Sequence, residues 1–114
     1  MAGLQTIAGG CHCGAVRFEA KADFSKVVEC NCSHCEKRGA LLAFTAGENF
    51  RLVSGEAALG EYRFNTRTIS HSFCTTCGVE AFARSADGVM INIRCIDGAD
   101  IAAPERIAFD GRSV

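Results

Sequence analysis

The stretch Cys30-Asn31-Cys32-Ser33-His34-Cys35 places three thiols within six residues. Thiolate sulfur is a preferred ligand of zinc and other soft metal ions, and a zinc ion with three protein ligands keeps a fourth position open for water or substrate. Such an open site is typical of catalytic rather than purely structural zinc. The sequence therefore predicts an open metal site at Cys30, Cys32 and Cys35, which we call the tripod.

Two further cysteine pairs stand next to glycine. Cys11 and Cys13 are separated by one residue and Cys74 and Cys77 by two, and a glycine directly follows each pair. Glycine permits the tight turns that bring backbone N–H groups towards sulfur, as in a zinc knuckle. Together the pairs can supply the four thiolates of one closed tetrahedral site, which we call the four-cysteine site. Buried thiols without a metal, which protein cores commonly contain, are the competing interpretation.

The eight cysteines could also form the disulfide framework of a secreted protein. However, the segment 1–8 has neither the basic region nor the sustained apolar run of a signal peptide. We therefore expect a cytoplasmic protein whose thiols stay reduced. The close spacings also suit chelation better than cross-linking, because such near neighbours form strained disulfides. No apolar stretch is long enough to span a membrane, so no membrane partner is expected.

Composition and charge predict one small β-domain over residues 1–114. Twelve glycines, one proline and short alternating runs of Phe, Val and Ile favour many short strands over long helices. The formal net charge is −1, and it becomes about −4 if seven cysteines bind two zinc ions as thiolates. A negative charge is poorly suited to the phosphate backbone, so no nucleic-acid partner is expected.

Alternating apolar residues predict strands around the cysteine motifs. Residues 15–20 are expected to continue from the first cysteine pair as a strand. Residues 26–29 and 41–45 are expected to be strands that lead into and out of the tripod, which would then lie in a loop between them. Functional residues are commonly placed in such loops.

The second half of the chain shows hairpin and edge-strand signals. Residues 50–53 and 60–64 are expected to pair with each other, with a brief helix possible at 56–59. Asp87-Gly88 between two alternating segments predicts a β-hairpin. Residues 107–109 are expected to form a final edge strand.

The three cysteine motifs in this order resemble the glutathione-dependent formaldehyde-activating enzyme family, which includes centromere-protein-V-like proteins. The resemblance rests on residues 10–18, 30–35 and 73–78, and residues 92–98 look like the family's late strand. It implies an all-β structure, a β-tent fold of small antiparallel sheets stapled by two zinc ions per chain. It also implies a carbon–sulfur lyase of the S-(hydroxymethyl)glutathione synthase type, whose partners are glutathione or a similar thiol and a small aldehyde such as formaldehyde.

The resemblance assigns a structural zinc to the four-cysteine site and a catalytic zinc to the tripod. Lys37, Arg38 and Arg94 are candidates for binding the carboxylates of glutathione, because arginine forms bidentate contacts with carboxylate. For each of these three residues, a solvated charged surface is the alternative.

Two other functions stay open. The chain could be a zinc-stabilised protein interaction module without catalysis, or a thiol redox protein in which Cys32 and Cys35 cycle as a C-x-x-C pair. The tripod could also be closed by a fourth protein ligand, for which the candidates are His12, His34, His71 and Cys95. His34 directly precedes Cys35, and the side chains of adjacent residues diverge, so His34 is expected to face solvent or lie beside the metal. Cys95 is expected to be a small core residue.

Overall fold

A computed structural model describes residues 4–63 and 69–111, which form ten strands and one α-helix. In chain order these elements are β1 (Gln5–Gly10), β2 (Arg17–Ala22), β3 (Lys26–Cys30), α1 (Ser33–Arg38), β4 (Leu42–Thr45), β5 (Phe50–Ser54), β6 (Leu59–Tyr62), β7 (Ser70–Cys74), β8 (Glu80–Ser85), β9 (Gly88–Asn92) and β10 (Glu105–Phe109). Three short 3-10 helices connect some of them: Gly47–Asn49, Glu56–Ala58 and Ile93–Cys95. The all-β class is confirmed. None of the helices in the described part of the chain has the length and apolar character needed to cross a membrane.

The strands form two sheets. One has three strands in the order β1-β2-β5, and the other has seven in the order β10-β3-β4-β9-β8-β7-β6. Every neighbouring pair is antiparallel except β3 with β10, which run parallel. The predicted hairpin at Asp87-Gly88 is confirmed, with Ser85 opposite Gly88. The strand predicted at 15–20 is present as β2.

The main core lies where the two sheets face each other. Phe18 of the small sheet is fully buried, stacks on Phe50 with ring centroids 5.4 Å apart, and meets Phe82 of the large sheet edge-on at 6.2 Å. Cys11 and Cys74 belong to the same buried cluster. Aromatic packing thus joins the sheets directly beside two members of the four-cysteine site.

The predicted pairing of residues 50–53 with 60–64 is wrong. β5 pairs with β2 in the small sheet, whereas β6 pairs with β7 in the large one, and residue 64 lies outside the described residues. The chain passes from the small sheet to the large one at Gly55. This residue has a positive φ of 91° and directly precedes the 3-10 helix Glu56–Ala58. The brief helix expected there is confirmed, and it redirects the chain instead of closing a hairpin.

The expectation that the tripod lies wholly in a loop is wrong, although the flanking strands predicted at 26–29 and 41–45 are present as β3 and β4. The segment forms α1, which Cys32 caps by accepting a hydrogen bond from the Cys35 N–H. Gly39 ends the helix in the left-handed region at φ 70°. A sulfur N-cap and a glycine C-cap therefore explain why a short helix forms here.

Candidate metal centres

The four-cysteine site joins two distant parts of the chain. Cys11 and Cys13 lie in the turn between β1 and β2, Cys74 ends β7, and Cys77 lies in the next turn. All four sulfur atoms lie within 4.8 Å of one another. Cys13 Sγ is 3.6 Å from Cys11 Sγ and 3.7 Å from Cys74 Sγ. Tetrahedral zinc, with Zn–S distances near 2.3 Å, sets its sulfur ligands about 3.8 Å apart, so these residues fit a closed zinc site.

Backbone N–H groups favour the thiolate form at this site. The Val16 N–H donates to Cys11 Sγ over 3.3 Å. Gly78, at φ 82°, completes a turn after which the Val79 N–H donates to Cys77, and this is the main reason why the pKa of Cys77 falls to about 6. Since the thiolate is the form that binds metal, the Val79 hydrogen bond favours ligation by Cys77. At Cys13 a hydrogen bond from the Ala15 backbone also favours the thiolate, but the neighbouring thiols and burial outweigh it and raise the pKa to about 11.

The three tripod sulfurs are gathered by the start of α1. Cys30 ends β3, Cys32 caps the helix and Cys35 lies buried in its first turn. Their sulfur atoms lie within 4.8 Å of one another. The Cys32 N–H donates to Cys30 Sγ over 3.4 Å, and the Cys35 N–H donates to Cys32 Sγ over 3.3 Å. The arrangement brings three thiols together and fits three ligands of one soft metal ion.

Cys32 and Cys35 of the tripod differ in how readily they ionise. Burial raises the pKa of Cys35 to about 12. Burial also works against the Cys32 thiolate, but hydrogen bonds from the Cys35 N–H and the neighbouring thiols outweigh it and lower the pKa of Cys32. Arg38 Nη2 lies 3.2 Å from Cys35 Sγ, so a positive charge stands beside the thiol whose pKa is raised.

The C-terminal segment forms one wall of the tripod. Through the parallel pairing of β10 with β3, the Asn31 N–H donates to the Phe109 carbonyl oxygen over 3.1 Å. Asn31 Nδ2 also donates to Asp110 Oδ1 over 3.0 Å. A Cβ added at Gly111 would lie 2.5 Å from Cys30 Sγ. Residue 111 therefore packs so closely against the tripod that only glycine fits without a shift.

A buried polar cluster that the sequence analysis did not predict lies beside the tripod. Glu80 on β8 has one carboxylate oxygen 3.2 Å from His71 Nδ1 and the other 3.6 Å from His34 Nε2. The same carboxylate forms an ion pair with Arg38. Burial lowers the pKa of His71 to about 4, so this imidazole is neutral at neutral pH. A carboxylate three residues after Cys77, at the start of a strand that continues with Ala81, Phe82 and Ala83, is the sequence signal that could have indicated this cluster.

The candidate fourth ligands do not join the tripod. His34 and His71 group with Glu80, and His12 is exposed. Cys95 packs against the main core, with its sulfur 3.9 Å from the backbone oxygen of Glu80. Within residues 4–63 and 69–111, the group of potential ligands at the tripod contains its three cysteines alone.

The three basic candidates lie around the end of α1. Lys37 is exposed, and Arg94 is an exposed residue whose Nε donates to the Gly39 carbonyl oxygen over 3.1 Å. The Arg38 guanidinium is instead engaged by Glu80 and Cys35. A role for these three side chains towards a substrate carboxylate stays a prediction, and for Arg38 the structure adds a competing partner.

Comparisons with known proteins agree with this fold over most of the chain. A family model described as "Glutathione-dependent formaldehyde-activating enzyme" matches residues 6–111. A crystal structure of a Rhodobacter sphaeroides protein is similar at 31% sequence identity, with a TM-score of 0.81. That match covers 89% of this chain and 100% of the other. The family match extends over all three cysteine motifs.

Proposed function

The chain belongs to the glutathione-dependent formaldehyde-activating enzyme family, and on that premise we propose that it is a zinc-dependent carbon–sulfur lyase or synthase. Membership supports glutathione-dependent activation of formaldehyde in general terms. The finer proposal is that a glutathione-type thiol and a small aldehyde combine at the tripod. The product is a hemithioacetal such as S-hydroxymethylglutathione, and the reverse reaction is its cleavage.

The observation that carries this proposal is the difference between the two cysteine groups. The four-cysteine site has enough thiols to complete a tetrahedral zinc site, whereas the tripod has three potential ligands among the described residues. Three protein ligands leave one position of a tetrahedral ion for a substrate. This difference in the number of thiols supports one structural and one catalytic zinc ion per chain.

The reaction forms one bond and moves one proton. The substrate thiol loses its proton, its sulfur forms a bond to the aldehyde carbon while the C=O π bond breaks, and the resulting oxygen takes up a proton in place of the one that the thiol lost. When bound, zinc supplies a position that lowers the pKa of a ligating thiol and stabilises charge on oxygen. The chain's own contribution is to hold three thiolates on one side, with Arg38 next to Cys35 and the wall at Gly111 next to Cys30.

Zinc content and activity together test this function. Cys32→Ser is expected to fold, keep one zinc ion and lose glutathione-dependent consumption of formaldehyde, because the remaining two tripod thiols bind metal weakly. Cys95→Ser is the matched control, since Cys95 lies outside both cysteine groups, and it is expected to keep two zinc ions and full activity. Full activity in a Cys32→Ser protein with one zinc ion would contradict the proposal.

Experiments on the wild-type protein distinguish the proposed enzyme from the two competing functions. An interaction module should be indifferent to a small thiol that blocks the tripod, whereas the proposed enzyme should be inhibited. A redox protein should form a disulfide between Cys32 and Cys35 under mild oxidant, with loss of one metal ion. The proposed enzyme is expected to turn over under reducing conditions without any change in thiol count.

The carboxylate-binding role proposed for the exposed cations needs a substrate comparison. Lys37→Ala and Arg94→Ala are expected to raise KM for glutathione and to leave KM for 2-mercaptoethanol, a thiol without carboxylates, unchanged. Lys26→Ala, at an exposed position at the start of β3, is the control for loss of one positive charge. Equal effects on both thiols would contradict the role.

A further inference from the structure

Arg38 connects the tripod to a buried carboxylate. The residue lies in the last turn of α1, and its side chain is only 13% exposed. Its two terminal nitrogens have different partners, since Nη2 lies 3.2 Å from Cys35 Sγ and Nη1 pairs with the Glu80 carboxylate. A planar guanidinium held at two points has a fixed orientation, which a single contact would not give.

Glu80 is itself held from several directions. Its side chain is 7% exposed, and His71 Nδ1 lies 3.2 Å from the carboxylate. Asn92 Nδ2 donates to the Glu80 backbone oxygen over 3.1 Å, which ties β8 to its neighbour β9. The residue is therefore a rigid buried anion that belongs to the large sheet, while Arg38 belongs to the short helix that carries the tripod.

We propose that Glu80 is a positioning residue for the tripod, because it holds the Arg38 guanidinium against the Cys35 sulfur. This inference rests on the proposed function, in which the tripod binds zinc. Three thiolates and one Zn²⁺ carry a net charge of about −1, so a fixed guanidinium beside one sulfur complements that charge. Groups that orient and hydrogen-bond a metal ligand typically change metal affinity by about 10–100-fold when they are removed.

A third metal ion at Glu80, His34 and His71 is the competing assignment for this cluster. Their potential ligand atoms lie within 4.8 Å of one another. However, Glu80 already pairs with the Arg38 guanidinium, and a divalent cation on the same carboxylate would be repelled by that charge. The positioning role therefore predicts two zinc ions per chain, and a wild-type protein that binds three would overturn it.

Glu80→Gln tests the positioning role, and it is measured beside Arg38→Lys, which leaves every charge in place. Loss of a buried negative charge and loss of positioning both act on zinc binding in Glu80→Gln, whereas only loss of positioning acts in Arg38→Lys. We expect a loss of about 10-fold or more at the tripod in both variants. Zinc affinity is measured by competition with a chromophoric chelator, and the four-cysteine site serves as the internal reference. Unchanged or stronger binding at the tripod would overturn the inference.

Glu29→Gln is the matched control. Glu29 stands next to the ligand Cys30 on β3, but its exposed carboxylate lies 3.8 Å from Arg106 and has no contact with Arg38. This variant removes one negative charge near the tripod without loosening the guanidinium. Its tripod affinity is expected to equal that of the wild type, and a loss as large as that of Glu80→Gln would refute the positioning role.

The cobalt(II)-substituted protein gives a readout that general destabilisation would not move. The tripod spectrum is the difference between wild type and Cys35→Ser, which is expected to load the four-cysteine site alone. A sulfur that loses a charged hydrogen-bond donor becomes more electron-rich, so the sulfur-to-cobalt band should shift to lower energy in Glu80→Gln. An unshifted band in a folded Glu80→Gln protein would argue against the contact.

Arg38→Lys covers the case in which Glu80→Gln does not fold. Lysine keeps the charge, but its single ammonium group does not have the two separate nitrogens with which the guanidinium contacts Glu80 and Cys35 at once. It is expected to reproduce the loss of tripod affinity, and wild-type affinity would overturn the inference. A wild-type protein that binds only one zinc ion would instead refute the proposed metal tripod, so the two failures are distinguishable.

Discussion

Cys74→Ser is expected to destabilise the protein much more than Cys35→Ser. Both side chains are buried, at 1% and 7% exposed, so the direct effect of the substitution in the core is similar. The two sites differ in the number of residues between the cysteines that each site joins. Cys74 Sγ lies 3.7 Å from the sulfur of Cys13, which is 61 residues away, whereas the tripod spans only residues 30–35.

The magnitude follows from loop entropy. The entropic cost of closing a flexible loop grows as (3/2)RT ln n, so closing 61 residues costs about 2.2 kcal/mol more than closing about five. An unfolded chain can also hold zinc through the local tripod thiols, which cancels part of that ion's effect on stability. About 2 kcal/mol is therefore a lower bound, and it corresponds to roughly 8 °C in Tm for a domain of this size.

The assay compares Tm by circular dichroism and zinc content for zinc-loaded proteins. Cys95→Ser, outside both cysteine groups, measures the cost of the substitution itself. Zinc at a structural site contributes roughly 10–16 kcal/mol of apparent binding free energy, comparable to the whole stability of a small domain. Cys74→Ser is therefore expected to be unfolded or to melt at least 8 °C below Cys35→Ser. Equal melting temperatures for these two variants would refute this reasoning.

Three further outcomes are expected. Phe18→Ala should lower the free energy of unfolding in urea by about 3–5 kcal/mol while zinc content stays at two, because it removes a fully buried ring from between the sheets. Gly111→Ala should weaken zinc binding at the tripod in chelator competition, because the new Cβ would lie 2.5 Å from Cys30 Sγ; Gly47→Ala, with open space around it, is the control and should have no effect. His71 has its folded-state pKa lowered from 6.5 to about 4 by burial, so the unfolded state binds more protons in this window and stability should fall as pH drops from 6.5 towards 4. His71→Gln should show a shallower fall when urea unfolding is measured at intervals across that window, and an unchanged slope would contradict the assignment.

The tripod and the two cysteine pairs could be predicted from the sequence because metal-ligand spacing is a local property. Spacings of one or two residues keep neighbouring sulfurs close, and a glycine directly after each pair of the four-cysteine site permits a tight turn there. The hairpin at Asp87-Gly88 was predictable for the same reason, since the turn depends on two adjacent residues. Local alternation did not reveal that residues 50–53 and 60–64 enter different sheets, because it reports which segments are strands and not which strands are neighbours.

The sequence by itself determined the three cysteine motifs and the β-rich class, since these depend on residue chemistry over short stretches. The tertiary structure alone decided what surrounds the tripod. Glu80 of β8 forms an ion pair with Arg38 of α1. The parallel pairing of β10 with β3 places Gly111 against Cys30. Burial and the pairing of charges are set by segments that are distant in the chain, and no local pattern encodes them. The position of the guanidinium beside Cys35 therefore became visible only in the folded chain, where the buried carboxylate of Glu80 stabilises it.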